Sequence, residues 1–185
     1  MSVNVRVADV ADLEQLAVLF DEYRQFYAQP SDLGLAKRFM RSRLSEGDSL
    51  VLVAENEGTG VAGFTQLYPL FDSVSTCSSF ILYDLYVNKP SRRSGLARAL
   101  MVEAVEQARR RGTGRVELQT GRANIPAQAL YEGLGWERVN DFYIYAIHLR
   151  AYCWGMARSN GVCQMSTSGR KRTSPGHGIR DVYQG

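Results

Sequence analysis

The chain has 185 residues, of which 45% are hydrophobic and 22% charged, a composition typical of a globular protein large enough to bury its own core. No apolar stretch approaches the length of a membrane span, and the first residues lack the apolar segment of a signal peptide, so we expect a cytoplasmic protein without membrane contact. The net charge is only +3, which gives no support to a nucleic-acid-binding protein.

Hydrophobic periodicity divides the first half of the chain into a strand, two helices and three further strands. Apolar residues alternate with polar ones in the strands and recur every three or four residues in the helices. Asp9 or Asp12 can cap the first helix, and Ser31 or Asp32 the second, by accepting a backbone hydrogen bond. The predicted elements are a strand at 3–7, helices at 13–27 and 35–44, and strands at 49–54, 61–70 and 80–87.

A glycine-bearing turn, Arg92-Arg93-Ser94-Gly95-Leu96-Ala97, ends the last of these strands and opens the next helix. The first amides of a helix have no partners and lie at the positive end of its dipole, so such a turn can bind an anion. Gly95 and Ala97 would let a phosphate approach the backbone closely. Arg92 and Arg93 would add positive charge at the rim.

The second half of the chain continues with two helices and three predicted strands. A helix at 96–111 ends in three arginines, which we interpret as a solvated cap of the helix C-terminus. A strand at 116–120 follows, and Asn124 then starts a short helix. A closing pair of strands is predicted at 136–139 and 142–149.

Beyond residue 149 the pattern changes. Residues 150–185 contain six basic residues and one acidic residue, whereas residues 1–149 contain sixteen basic and eighteen acidic ones. Serine, glycine, threonine and arginine dominate from Ser159 to Gly178 without a period. We therefore predict one domain over 1–149 and a basic C-terminal tail over 150–185 that is disordered or non-native. The three cysteines have no spacing of a zinc module, so we expect free thiols and no metal site.

Two motifs resemble those of the GNAT superfamily of N-acetyltransferases. The glycine turn fits the pattern Arg/Gln-x-x-Gly-x-Gly/Ala, and residues 124–136 fit N-x-x-A-x-A-L-Y-x-x-x-G-W. The resemblance is sharp from about 81 to 136 and is closest to the type that acetylates small amines and polyamines. It implies a single α/β (α+β) domain with a mixed, mostly antiparallel sheet flanked by helices, and it is compatible with a homodimer.

The same resemblance implies acetyl-CoA as co-substrate. Its pyrophosphate would rest on the amides of the glycine turn, and its pantetheine arm would pair with the backbone of the preceding strand where that strand parts from the next. Asn124 would contact it while also capping a helix. The implied cofactor-binding residues are Leu85, Tyr86, Val87, Arg92, Arg93, Ser94, Gly95, Leu96, Ala97 and Asn124.

Two residues are candidates for catalysis. Tyr131 falls on the position of the family's general acid, although it could equally be an aromatic packed on its helix. Members of the resembled family often carry a glutamate that acts as the general base at the position of Tyr83. In this chain the next residue is Asp84. Because adjacent strand residues face opposite sides, Asp84 would be a buried structural carboxylate if Tyr83 and Leu85 face the site. A water chain would then serve as the base.

The first helix, whose residues 20–27 bring aromatics and carboxylates close together, and the loop after it are expected to bind the acceptor. Tyr23, Tyr27 and Tyr83 are the candidate substrate-binding residues, although aromatics at helical spacing more often form a core. Tyr68 and Phe71 could close the other side of the site. The predicted function is transfer of an acetyl group to a primary amine of a small molecule by direct attack within a ternary complex. A protein N-terminal or lysine acetyltransferase and a non-catalytic acyl-CoA sensor are the alternatives.

Overall fold

The computed structural model describes residues 3–56 and 60–147. Within these ranges it contains five strands and four helices, in the order that the periodicity predicts. None of these helices is long and apolar enough to cross a bilayer. The elements are β1 (Asn4–Val7), α1 (Leu13–Phe26), α2 (Leu33–Glu46), β2 (Leu50–Asn56), β3 (Gly60–Asp72), β4 (Cys77–Val87), α3 (Leu96–Arg110), β5 (Arg115–Leu118) and α4 (Ile125–Glu132).

The strands form one sheet in their chain order, β1-β2-β3-β4-β5. The pairs β1–β2, β2–β3 and β3–β4 are antiparallel, and the pair β4–β5 is parallel. A parallel pair needs a crossover, which α3 supplies. The prediction of a mixed, mostly antiparallel sheet flanked by helices is confirmed.

The sheet is covered on both faces, as an apolar sheet requires. Helix α3 packs on one face of the sheet, which we call the α3 face. Its contacts are made by Leu100, Met101 and Ala104. Helices α1 and α2 pack on the other, the α1 face, where Leu16 and Met40 contact the central strands. The site described below is built on both faces of β4.

Short polar side chains define where the first two helices begin. Asp9 accepts a hydrogen bond from the amide of Ala11 at 2.7 Å, in a one-turn 3-10 segment that leads directly into α1. Asp32 caps α2 by accepting from the amide of Leu35 at 2.8 Å. Ser31 is not the cap, because its hydroxyl donates to the buried carboxylate of Asp21 at 2.6 Å.

Strands β4 and β5 pair over only four residues of each. Ser79–Leu82 lie beside Arg115–Leu118, and the ladder ends there. Within the described residues, the part of β4 from Tyr83 to Val87 has no strand on its β5 side. A free stretch of strand edge therefore lies between the glycine turn and α4, as the sequence resemblance implies.

The predicted closing strands at 136–139 and 142–149 are wrong as far as the structure describes them, because residues 136–147 form no strand. Phe142–Ile147 carries apolar side chains at consecutive positions, which would need cover on both faces of a sheet. Phe142 and Tyr143 are instead exposed. Residues 148 and 149 and the predicted tail at 150–185 lie outside the described residues.

Candidate active site

A β-bulge at Tyr83 decides which side chains of β4 reach the site. Gln66 pairs with Asp84 and Leu67 with Leu82, so Tyr83 has no partner on β3. The extra residue reverses the alternation beyond it. Ile81 and Asp84 therefore point to the same, α1 face of the sheet, while Leu82 and Leu85 contact the α3 face.

The bulge overturns the premise under which Asp84 would be purely structural. Tyr83 and Leu85 do not share the face of the site, since Leu85 packs against the α3 face and Tyr83 is 53% exposed. Asp84 instead borders an open cavity of about 520 Å³ between α1, α2 and the ends of β3 and β4. The cavity is lined by Phe20, Tyr23, Phe39, Tyr68, Leu70, Ile81, Tyr83 and Asp84.

Asp84 has the electrostatics of a base poised near neutral pH. It is only 6% exposed, and burial raises its pKa to about 6. The Tyr23 hydroxyl donates a hydrogen bond to the carboxylate, which opposes this shift. None of the ion pairs formed by the described residues includes Asp84. The carboxylate is therefore available to a cationic ligand.

Two further tyrosines extend from Tyr23 toward α4. Tyr23 is also hydrogen-bonded to Tyr27, whose ring stands edge-on to it with centroids 4.9 Å apart. Tyr27 in turn lies close enough to Tyr131 to raise the pKa of its phenol, although burial contributes more. Tyr23 is thus hydrogen-bonded to both Asp84 and Tyr27, and Tyr27 interacts electrostatically with Tyr131.

Tyr131 packs against the core and keeps its phenol proton, so its role as the acid stays a prediction. Its ring packs with Leu85 against the α3 face and contacts Trp136 at 6.4 Å between ring centroids. Burial raises the pKa of its phenol to about 12, so the phenol stays protonated at neutral pH. Packing fixes the ring, and protonation leaves it able to act as an acid.

The glycine turn leaves an open row of amides at the start of α3. Arg93 and Gly95 both have positive φ, 63° and 88°. Gly95 is the N-cap and provides no side-chain cap, and no acceptor among the described residues takes the amide hydrogens of Arg93 to Ala97. A Cβ at Gly95 would meet nothing within 4 Å. The turn therefore fits a phosphate group that approaches from outside.

The comparisons with known proteins agree with this geometry. A model of the acetyltransferase (GNAT) family matches residues 13–136. The chain belongs to the GNAT family of acetyltransferases. Its sequence is 40% identical over 148 residues to YhfO of Bacillus subtilis, an uncharacterized N-acetyltransferase. The matched residues cover 80% of this chain and 99% of that protein.

Two other GNAT-family relatives differ in how much of their own length is matched. Human N-acetyltransferase 8 is 33% identical over 103 residues, which are 56% of this chain and 45% of that protein. The crystal structure of a probable acetyltransferase superimposes with a TM-score of 0.74 and 32% identity, covering 82% of this chain and 99% of the other. These relatives support the acetyltransferase fold and enzyme class and leave the acceptor open.

Arg92 is placed differently from the prediction for a GNAT phosphate site. Its guanidinium lies over the rings of Phe26 and Tyr86, 5.7 and 5.6 Å from their centroids, and its Nε donates to the carbonyl of Val87 at 3.1 Å. Stacking on two rings and a backbone bond hold it against α1. Arg93, which is exposed, remains at the rim of the turn.

The other predicted site residues divide between the two parts of the site. Tyr23 and Tyr83 line the cavity, whereas Tyr27 is not among its lining residues and is hydrogen-bonded to Tyr23. Asn124 caps α4 by accepting from the amide of Ala127 at 3.4 Å. Phe71 does not close the cavity, because it is 88% exposed and Leu70 lines the wall instead.

The sequence did not point to three residues of the cavity wall. They are Phe39, Leu70 and Ile81. Their spacing is that of ordinary core positions, and Phe20 and Phe39 do stack on each other at 4.9 Å between centroids. The one signal in the sequence was the aromatic run at 20–27, which indicates the helix but not the bulge that opens the cavity beside it.

Proposed function

We propose that this GNAT acetyltransferase moves the acetyl group of acetyl-CoA to the primary amine of a small molecule by direct attack within a ternary complex. The observation that carries the proposal is Asp84, a buried carboxylate at the wall of an open cavity, with no ion-pair partner among the described residues. A non-catalytic acyl-CoA sensor would have no use for such a group. Its raised pKa is what a general base at neutral pH requires.

The chain's own residues fit acetyl-CoA as co-substrate. The free amides of Arg93 to Ala97 would hold the pyrophosphate, and the unpaired edge of β4 from Leu85 to Val87 would bind the pantetheine arm through the backbone. When bound, acetyl-CoA supplies an acetyl group activated as a thioester. Asn124 can keep its cap and still offer its amide nitrogen to the ligand.

Asp84 prepares the acceptor. An ammonium that enters the cavity meets a carboxylate in an apolar setting, where a neutral acid and a neutral amine are favoured over an ion pair. Asp84 therefore takes one proton and leaves the nitrogen lone pair free to attack. Tyr23, which donates to the carboxylate, keeps it oriented toward the cavity.

Tyr131 serves the opposite end of the reaction. Its protonated phenol, on a ring that packs against the same core cluster as Leu85, gives a proton to the departing sulfur. The second proton lost by the amine restores the phenol, so that one proton in total is released to solvent. Tyr27, which is hydrogen-bonded to Tyr23 and interacts electrostatically with Tyr131, is the candidate to relay this proton.

The proposal is tested by calorimetric titration with acetyl-CoA followed by a thiol-release assay over small amines, amino acids, polyamines and peptides. We expect binding, and turnover with a small amine that falls at least about a hundredfold in Asp84→Asn while acetyl-CoA affinity is kept. Asp72→Asn, at the far end of β3, is the control. Binding without turnover on any acceptor would favour a sensor, and turnover confined to peptides would favour a protein acetyltransferase.

A further inference from the structure

The cavity beside Asp84 is apolar apart from one charge. Four of its side chains, Phe20, Phe39, Leu70 and Ile81, are hydrocarbon, and three are tyrosines. The tyrosines present rings as well as hydroxyls, and Tyr68 and Tyr83 meet edge to face at 5.9 Å. Asp84 is the one ionisable carboxylate of the wall as far as the chain is described.

The charge of the wall limits what an acceptor can carry. Asp84 can neutralise one ammonium group, and a second ammonium in the cavity would find no further carboxylate among the described lining residues. Burying an unpaired charge is costly, so diamines and polyamines are disfavoured.

An acceptor carboxylate is disfavoured as well. Among the described residues, no lysine or arginine lines the cavity to receive it. The guanidinium of Arg43 lies over the ring of Phe39, 5.4 Å from its centroid, and is already paired with Asp48 at 2.7 Å. A carboxylate close to Asp84 would be repelled without compensation.

The size and surface of the cavity suit a flat or extended apolar body. About 520 Å³ lies in the range of small-ligand pockets, and stacked aromatic walls favour rings and alkyl chains. From these observations we infer that the acceptor is a monoamine with an aromatic or alkyl body, held by Asp84 at its nitrogen and by Phe20, Phe39 and Leu70 along its length. This inference rests on the function proposed above.

Matched amines test the charge limit on the wild-type enzyme with acetyl-CoA. Hexylamine and hexamethylenediamine have the same chain and differ by one amine, while phenethylamine and phenylalanine differ by one carboxylate. We expect kcat/KM to be at least about tenfold higher for hexylamine and for phenethylamine than for their partners, because the second charge has no partner in the cavity. Equal or higher values for the diamine or the amino acid would overturn the inference.

A pair of variants tests the assignment of the cavity itself. Leu70→Glu adds a carboxylate to the half-exposed wall, and Leu70→Gln adds a polar group of similar size without charge. Leu70→Glu should raise the ratio of kcat/KM for hexamethylenediamine over hexylamine several-fold, and Leu70→Gln should not. Circular dichroism and melting temperature establish that both variants fold. An unchanged ratio in Leu70→Glu would mean that the acceptor binds elsewhere.

The outcomes separate this inference from the proposed function. Efficient acetylation of diamines or amino acids, with poor acetylation of hexylamine and phenethylamine, would refute only the monoamine assignment. Turnover confined to peptides would refute the small-molecule function proposed above as well. Acetyl-CoA binding with no turnover on any of these amines would refute the proposed function, and the acceptor assignment with it.

Discussion

Asp84 makes the folded protein less stable than an uncharged residue would at neutral pH. Its pKa rises from an ordinary 3.8 to about 6 on folding. Between about pH 4 and pH 6 the folded chain holds a proton that the unfolded chain has lost, so this carboxylate lowers the free energy of unfolding as pH rises. A difference of this size corresponds to about 3 kcal/mol at most. A destabilising carboxylate at the cavity wall is consistent with the proposed role of Asp84 as the base.

Asp84→Asn should remove this pH dependence. Relative to wild type, we expect the free energy of unfolding of the variant to improve between about pH 4 and pH 7, by up to about 3 kcal/mol. Urea denaturation at the two pH values measures it. Asp72→Asn should change little between these pH values, because hydrogen bonds from Ser75 lower the pKa of Asp72 and its titration lies below about pH 4. A difference for Asp84→Asn that does not vary with pH would show that Asp84 titrates normally.

We expect Tyr23 to affect the reaction through its hydrogen bond to Asp84. Its hydroxyl stabilises the carboxylate, so Tyr23→Phe should raise the pKa of Asp84 further. The acid limb of the kcat/KM profile should then move to higher pH, and turnover at neutral pH should fall. Tyr143→Phe, at an exposed position far along the chain, should leave the profile in place. A loss of kcat with an unmoved acid limb would reduce Tyr23 to a packing residue.

At the scale of elements, the glycines at the two ends of α3 can be compared, because substituting either one strains the backbone in a similar way. Gly95 at its start and Gly112 after its end both have positive φ, 88° and 67°, and a Cβ at either position would meet no atom within 4 Å. A side chain strains the backbone at both. Only the first position faces the row of free amides.

Gly95→Trp should therefore abolish acetyl-CoA binding, while Gly112→Trp should keep it. Both variants should lose a similar amount of stability, of about 1 kcal/mol, from the left-handed backbone. Calorimetric titration with acetyl-CoA and thermal unfolding separate the two effects. Equal affinity in the two variants would place the phosphate site somewhere other than the glycine turn.

The elements show what the sequence could and could not predict. The helices and the β2–β3 hairpin follow from hydrophobic periodicity, and the glycine turn from its position between a strand and a helix. The bulge at Tyr83 could not be predicted, because alternation assumes that no residue is inserted into a strand. One inserted residue moved Asp84 to the face of the cavity. The prediction of the closing strands was wrong because the apolar residues at 142–147 do not indicate which edge of the sheet a strand would join.

At the scale of the whole molecule, the site depends on the separation of β4 from β5 after their short paired segment. The acceptor cavity lies on the α1 face, and the glycine turn begins α3 on the opposite face. The two can meet only where β4 has lost its neighbour β5, from Tyr83 onward. Tyr27, which is hydrogen-bonded to Tyr23, interacts electrostatically with Tyr131 on the other side of this opening. The proposed base and acid therefore require this separation of β4 from β5 if they are to serve one reaction.

The placement of the cores in the whole molecule predicts that the basic tail is dispensable. Both described cores are built from residues between Val3 and Trp136, and the matched length of YhfO is 148 residues. Truncation after Arg150 should therefore leave the melting temperature within about 2 °C and kcat/KM within about twofold, since no described core contact is removed. Thermal unfolding and the thiol-release assay compare the truncated and full chains. A large loss of melting temperature would mean that residues beyond 150 complete the domain, and a selective loss of activity would mean that they reach the site.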